Sequence, residues 1–67
     1  MMMYEVNLWD ELNGVCYMGD PTSSLDEAQE DFLSSWDHVY VNGDFGHIYP
    51  SLDMYEADDN GSFIGYP

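Results

Sequence analysis

Not one lysine or arginine occurs among the 67 residues, while aspartate and glutamate number fourteen, for a formal net charge of −14. A chain built this way cannot draw on the ion pairs that ordinarily lace a protein surface, and its carboxylates repel one another in any compact state. Whatever it folds into must come from apolar patterning and backbone hydrogen bonds. The apolar share is sufficient: 45% of residues are hydrophobic and 16% aromatic, far too many for an acidic disordered tail. The length suits one acidic domain, residues 1–67, with a small core, since chains this short bury only about 60% of the surface exposed on unfolding. The spread of Trp9, Trp36, six tyrosines and three phenylalanines along the chain predicts a compact aromatic core.

Residues 3–12 alternate. Tyr4, Val6, Leu8 and Leu12 fall on one side, interrupted by Asp10, and Glu5, Asn7, Trp9 and Glu11 on the other. That period predicts a half-buried strand. Asn13-Gly14 then predicts a tight hairpin turn of the type that needs φ > 0 at both central residues, leading into a second strand at 15–18. Ser24 and Glu27 have the spacing of a capping box. Beyond them Leu25, Ala28, Phe32, Leu33, Trp36 and Val39 recur at helical spacing, with Asp26, Glu27, Glu30, Asp31 and Asp37 opposite, which predicts an amphipathic helix over 25–37. Its pairs Asp26/Glu30 and Glu27/Asp31 are like-charged one turn apart, each costing a few tenths of a kcal/mol. Val39-Tyr40-Val41 reads as a short strand and Asn42-Gly43 as a turn. Residues 47–49 read as extended, with Pro50 at an edge or bulge. Residues 52–56 and 62–66 read as a second hairpin around Asp58-Asp59-Asn60-Gly61. The expected fold is α+β: a small antiparallel sheet of four to five strands with one amphipathic helix packed on one face, in the order ββα followed by strands.

The composition disfavours several functions. Direct contact with DNA or RNA phosphates and docking on anionic membranes both require basic side chains. No apolar run approaches the roughly 20 residues of a membrane span, and no signal-peptide pattern opens the chain. Cys16 stands alone, so no intrachain disulfide forms, which fits a cytoplasmic setting. An enzyme is not expected: no nucleophile elbow, phosphate loop or zinc spacing surrounds His38, His47 or Cys16, and a catalytic thiol needs an electropositive setting. Glu56-x-Asp58-x-Asn60-Gly61 imitates half a calcium loop, but Pro67 stands where a bidentate glutamate belongs, and an acidic hairpin turn explains the same residues. No cofactor or metal is expected.

The acidic surface is the remaining candidate. Carboxylates one helical turn apart are separated by about 5.4 Å along the axis, which approaches the spacing of phosphates along a DNA strand. The expected partner-binding residues are Asp26, Glu27, Glu30, Asp31 and Asp37 on the helix, then Asp44, Asp53, Glu56, Asp58 and Asp59 in the second half. The profile resembles the small acidic DNA mimics that phages and mobile elements encode: anti-CRISPR proteins, antirestriction proteins and uracil-DNA glycosylase inhibitors. Tyr4, Val6 and Leu8, Asn13-Gly14, Gly19, the helix acids, Val39-Tyr40 and Asp44-Phe45 are also similar to the first domain of ArdA-type antirestriction proteins. Leu12 and Asp20 depart from that pattern, where the family favours Tyr and Trp. The resemblance implies a phage protein acting in the host cytoplasm, as a monomer or homodimer, that occupies the basic groove of a host defence protein such as a CRISPR-Cas effector or restriction enzyme. Two alternatives stand beside it: inhibition of a repair enzyme such as uracil-DNA glycosylase, and an acidic protein-interaction module that copies no nucleic acid.

Overall fold

A computed structural model describes residues 1–44 and 46–67. The element order is β1 (Met2–Asp10), β2 (Val15–Met18), α1 (Leu25–Asn42), β3 (Ile48–Ala57) and β4 (Phe63–Gly65). The strands form one antiparallel sheet in the order β2-β1-β3-β4, with α1 against β3 and β1. The protein is thus an α+β fold of four strands and one helix, as the patterning predicts.

β1 stops at Asp10, two residues before the expected end, and the loop spans residues 11–14 instead of two. Gly14 has φ 66°, but Asn13, like every non-glycine residue described, has negative φ, so the Asn-Gly turn is not the expected one. The reason is Asp10. It is buried, and its carboxylate accepts from the Asn13 backbone N–H (3.1 Å) and side-chain amide (2.7 Å). What reads in sequence as an interruption of the apolar side is the side chain that shapes the loop. The Asn13 amide, more than any other group, holds this carboxyl below its ordinary value. The backbone N–H groups of Asn13 and Leu12 and nearby His47 act in the same direction, and burial opposes them.

Residues 19–22 run back along β1. Gly19 N–H donates to the Val6 carbonyl (3.0 Å), and Tyr4 and Thr22 exchange two backbone bonds of 2.7 and 2.8 Å. A Cβ on Gly19 would run into the Val6 carbonyl oxygen, so this return needs glycine.

Ser24 caps α1, its hydroxyl accepting from Glu27 N–H. The other half of the capping box passes through Thr22: the Ser24 N–H donates to the Thr22 hydroxyl, which donates to Glu27 Oε2. The helix runs to Asn42 and absorbs both the expected strand at 39–41 and the expected end at 37. Val39 lies on the same side as Ala28 and is buried, and that packing overrides the β preference of Val-Tyr-Val. Asn42-Gly43 is a helix stop: Gly43 is left-handed (φ 74°) and its N–H meets the Tyr40 carbonyl.

β3 is one ten-residue strand through Pro50, which is buried opposite Leu8. β4 reaches only Glu56 and Ala57, so at Pro50 the outer side of β3 is an open edge, where a missing N–H costs nothing. The turn at 58–61 and the second hairpin form as expected.

The compact aromatic core does not form. Ala28, Val39 and Ala57 are the buried hydrophobic residues, and none of the described large side chains is fully buried. A helix is about 10 Å across and strands lie about 4.8 Å apart, so one helix covers about two strands. β2 and β4 lie outside its cover, and the aromatics beyond it stay half-buried or exposed. Leu33, expected in the apolar stripe, is 67% exposed.

Candidate nucleic-acid-mimicking surface

The helix presents its charge as a row. At 100° per residue Asp26, Glu30 and Asp37 lie within about 40° of one another, on the side away from Ala28 and Val39. Exposed Leu33 lies on the same side between Glu30 and Asp37. Glu27 is displaced around the helix but exposed. Asp31 is about 140° from Asp26, off the outer face expected of it with the other helix acids. It lines a groove between the helix and the first hairpin with Val6, Leu8, Tyr17 and Ser35. It too is exposed, so the five helix carboxylates extend along about 16.5 Å of axis.

The ten expected contact residues divide by what already occupies them. Glu27 accepts from the Thr22 hydroxyl, and Asp44 lies 3.4 Å from His47 Nε2. Oδ2 of Asp53 accepts from the Asn7 amide (2.8 Å) and the Ser51 hydroxyl (2.9 Å). Glu56 pairs with the Met1 amine at 2.8 Å, and Asp58 Oδ1 accepts from the N–H groups of Asn60 and Ser62. By contrast, the side chains of Asp26, Glu30, Asp31, Asp37 and Asp59 have no hydrogen-bond or ion-pair partner among the described residues. Four of those five are on α1.

Asp53, Asp58 and Asp59 are carried by other elements than the helix row. Asp53 is on the odd-numbered face of β3, which points away from α1, and Asp58 and Asp59 are in the β3–β4 turn. In the would-be calcium loop, Glu56 and Asp58 serve the chain terminus and the turn. No group of three His, Cys, Asp or Glu among the described residues is placed to hold a metal ion. Cys16 is exposed opposite Trp9. Phe45, part of the antirestriction resemblance, lies outside the described residues.

Sequence reasoning missed a second surface. Exposed Trp9, Met18, Phe63 and Tyr66 are on or beside the sheet face away from the helix, where alternation alone suggested a solvated face. Tyr49 stands opposite Trp9 on this face, its hydroxyl 3.0 Å from Glu11 Oε2 and 2.7 Å from the Gly46 carbonyl oxygen. The Glu11 carboxylate, then burial, raise the Tyr49 pKa above its ordinary value of 10.0. The signal was present in the composition, since an apolar fraction of 45% exceeds what one helix can cover.

No helix among the described residues is long and apolar enough to cross a membrane. Compared with known proteins, the chain matches no family model, no curated protein sequence and no solved structure.

Proposed function

We propose that the protein is a phage-encoded inhibitor that mimics nucleic acid, occupying the basic DNA-binding groove of a host defence protein such as a CRISPR-Cas effector or restriction enzyme. The observation that carries this reading is the unpaired carboxylate row of α1, in a chain with no lysine or arginine to neutralise it. Asp26, Glu30 and Asp37 form the row, and with exposed Glu27 and Asp31 to one side of it the helix carries five carboxylates along about 16.5 Å of axis, against a phosphate per ~3.4 Å on one DNA strand. A capped helix seated on a sheet keeps that row in fixed geometry, as a disordered acidic tail cannot. Binding releases the anions that screen the groove and sterically excludes the true ligand. The setting is the host cytoplasm, and chemistry plays no part.

The test is an affinity pull-down from host lysate at moderate salt, followed by challenge with duplex DNA. Recovery of a nucleic-acid-binding complex that DNA displaces, and that Glu30→Lys fails to capture, supports the mimic. A partner that DNA cannot displace overturns it.

A further inference from the structure

An antiparallel sheet with one solvated face ordinarily carries polar side chains there. The face turned away from α1 departs from this. β1 and β2 place Trp9 and Met18 on it, β3 places Tyr49 and Tyr55, and Phe63 packs on Tyr55 and Tyr66 on Phe63, with centroid distances of 5.7 and 5.3 Å. Met18 is 73%, Phe63 58% and Tyr66 80% exposed, and no helix or strand covers this face among the described residues. Trp9 and Tyr49 lie at one end of this face and Tyr55, Phe63 and Tyr66 at the other, with the polar pairs Asn7/Ser51 and Glu5/Asp53 between them, and exposed apolar surface of this extent marks an interaction site.

Its centre is charged. Glu5 and Asp53 stand directly opposite each other on β1 and β3, and with Met18, Tyr55 and Tyr66 they line one open depression. Asn7 and Ser51 both bond Oδ2 of Asp53, which leaves Oδ1 and the whole Glu5 carboxylate open among the described residues. Two like charges opposite each other in a ladder destabilise it, so local stability does not account for the pair.

The charge decides what covers this face. A second copy would enclose two such pairs in a drying interface with no lysine or arginine on either side, and desolvating unpaired carboxylates is prohibitive. A purely apolar partner fails for the same reason. A guanidinium meets every requirement: it is planar, stacks on tyrosine rings and bonds carboxylates with its fork of N–H donors. We infer that the open sheet face docks a protein partner through an arginine side chain, seated between Glu5 and Asp53 and stacked against Tyr55 and Tyr66, with Met18 and Phe63 against the partner's apolar surface. This surface lies on the side of the sheet away from the helix row and does not depend on nucleic-acid mimicry.

The experiment is an NMR titration of the isotopically labelled protein with acetyl-Leu-Arg-Leu-amide and with its citrulline counterpart, which keeps the shape and loses the charge. The expected result is saturable shifts at Met18, Tyr55, Tyr66, Glu5 and Asp53, with binding about fivefold weaker for citrulline and for the Glu5→Gln/Asp53→Asn double variant. That variant removes a repulsion, so it is expected to stay folded, and its dispersed amide spectrum checks this. Equal binding of the two peptides, or equal shifts at Asp26 and Glu30, overturns the inference. Concentration-dependent broadening of Tyr55 and Tyr66 without peptide assigns the face to a second copy and also overturns it. Glu30→Lys is expected to leave the titration unchanged, so failure of the mimic reading is distinguishable from failure of this one.

Discussion

Glu30→Lys is expected to raise stability and lower inhibition together. Glu30 is mid-helix, exposed and without a partner among the described residues. It lies four residues after Asp26 and three after Glu27. Lysine removes two like-charge pairs, with Asp26 and with Glu27, each worth about 0.3 kcal/mol, and creates an Asp26–Lys pair in the favourable order and a Glu27–Lys pair, each worth a similar amount. Glutamate and lysine have nearly equal helix propensity, so the backbone contributes little. The gain comes to about 1 kcal/mol at low salt, which raises the melting temperature of a chain this size by about 4–8 °C. Glu30→Gln removes only the two repulsions and is expected to give about half of that. Thermal melts in dilute buffer and in ~1 M NaCl, where the screening length falls to about 3 Å, separate charge from packing. A variant that melts lower than the parent, or whose gain survives high salt, refutes the electrostatic account of the helix. A stabilised variant that still captures a DNA-displaceable partner refutes the helix row as the contact surface.

Gly19→Ala is expected to cost about 2 kcal/mol, because the new methyl must push the Val6 carbonyl out of the ladder; an unchanged denaturant midpoint contradicts that close approach. Asp10→Asn is expected to lower stability in a pH-dependent way. The Asp10 carboxyl is depressed in the folded state, so its contribution is present above the unfolded value of 3.8 and is lost as pH falls through the lower folded value; a parent–variant gap that stays constant down to pH ~2 would falsify this. Tyr49→Phe tests the opposite end. The Tyr49 hydroxyl is raised above 10.0, so its contribution is complete below that pH and disappears as pH rises through the folded value, where the two melting curves should converge.

What was legible in the sequence was local. Ser24 and Glu27 announce the helix start because a cap is made by neighbours, and residues 4–8 announce a strand because alternation is a property of the strand itself. What failed depended on distant packing. Val39-Tyr40-Val41 looks extended until Ala28 and the sheet beneath it are known, and Leu33 looks like core until the narrowness of one helix over four strands is taken into account. Asp10 sits between these cases. Its partner is only three residues away, so a carboxylate on an apolar side followed by Asn13 was a recognisable loop-capping pattern.

The candidate site divides the same way. Acidity could be read from composition, but which acids remain available for a partner could not. Glu56 is engaged by an amine 55 residues away, and Asp53 by an amide 46 residues away. These long-range donors, with the turn N–H groups held by Asp58, stand in for the missing lysines and arginines. They act almost wholly on the strands and turns. α1 receives one hydroxyl, from Thr22, at its first turn, and beyond that turn its side-chain carboxylates have no partner among the described residues. A chain under pressure only for solubility would gain stability from one lysine at position 30 and lose nothing. That four of the five carboxylates on one capped helix stay unneutralised, while Asp53, Glu56 and Asp58 elsewhere are met by donors, is the physical argument that the helix charge is held for a partner to neutralise.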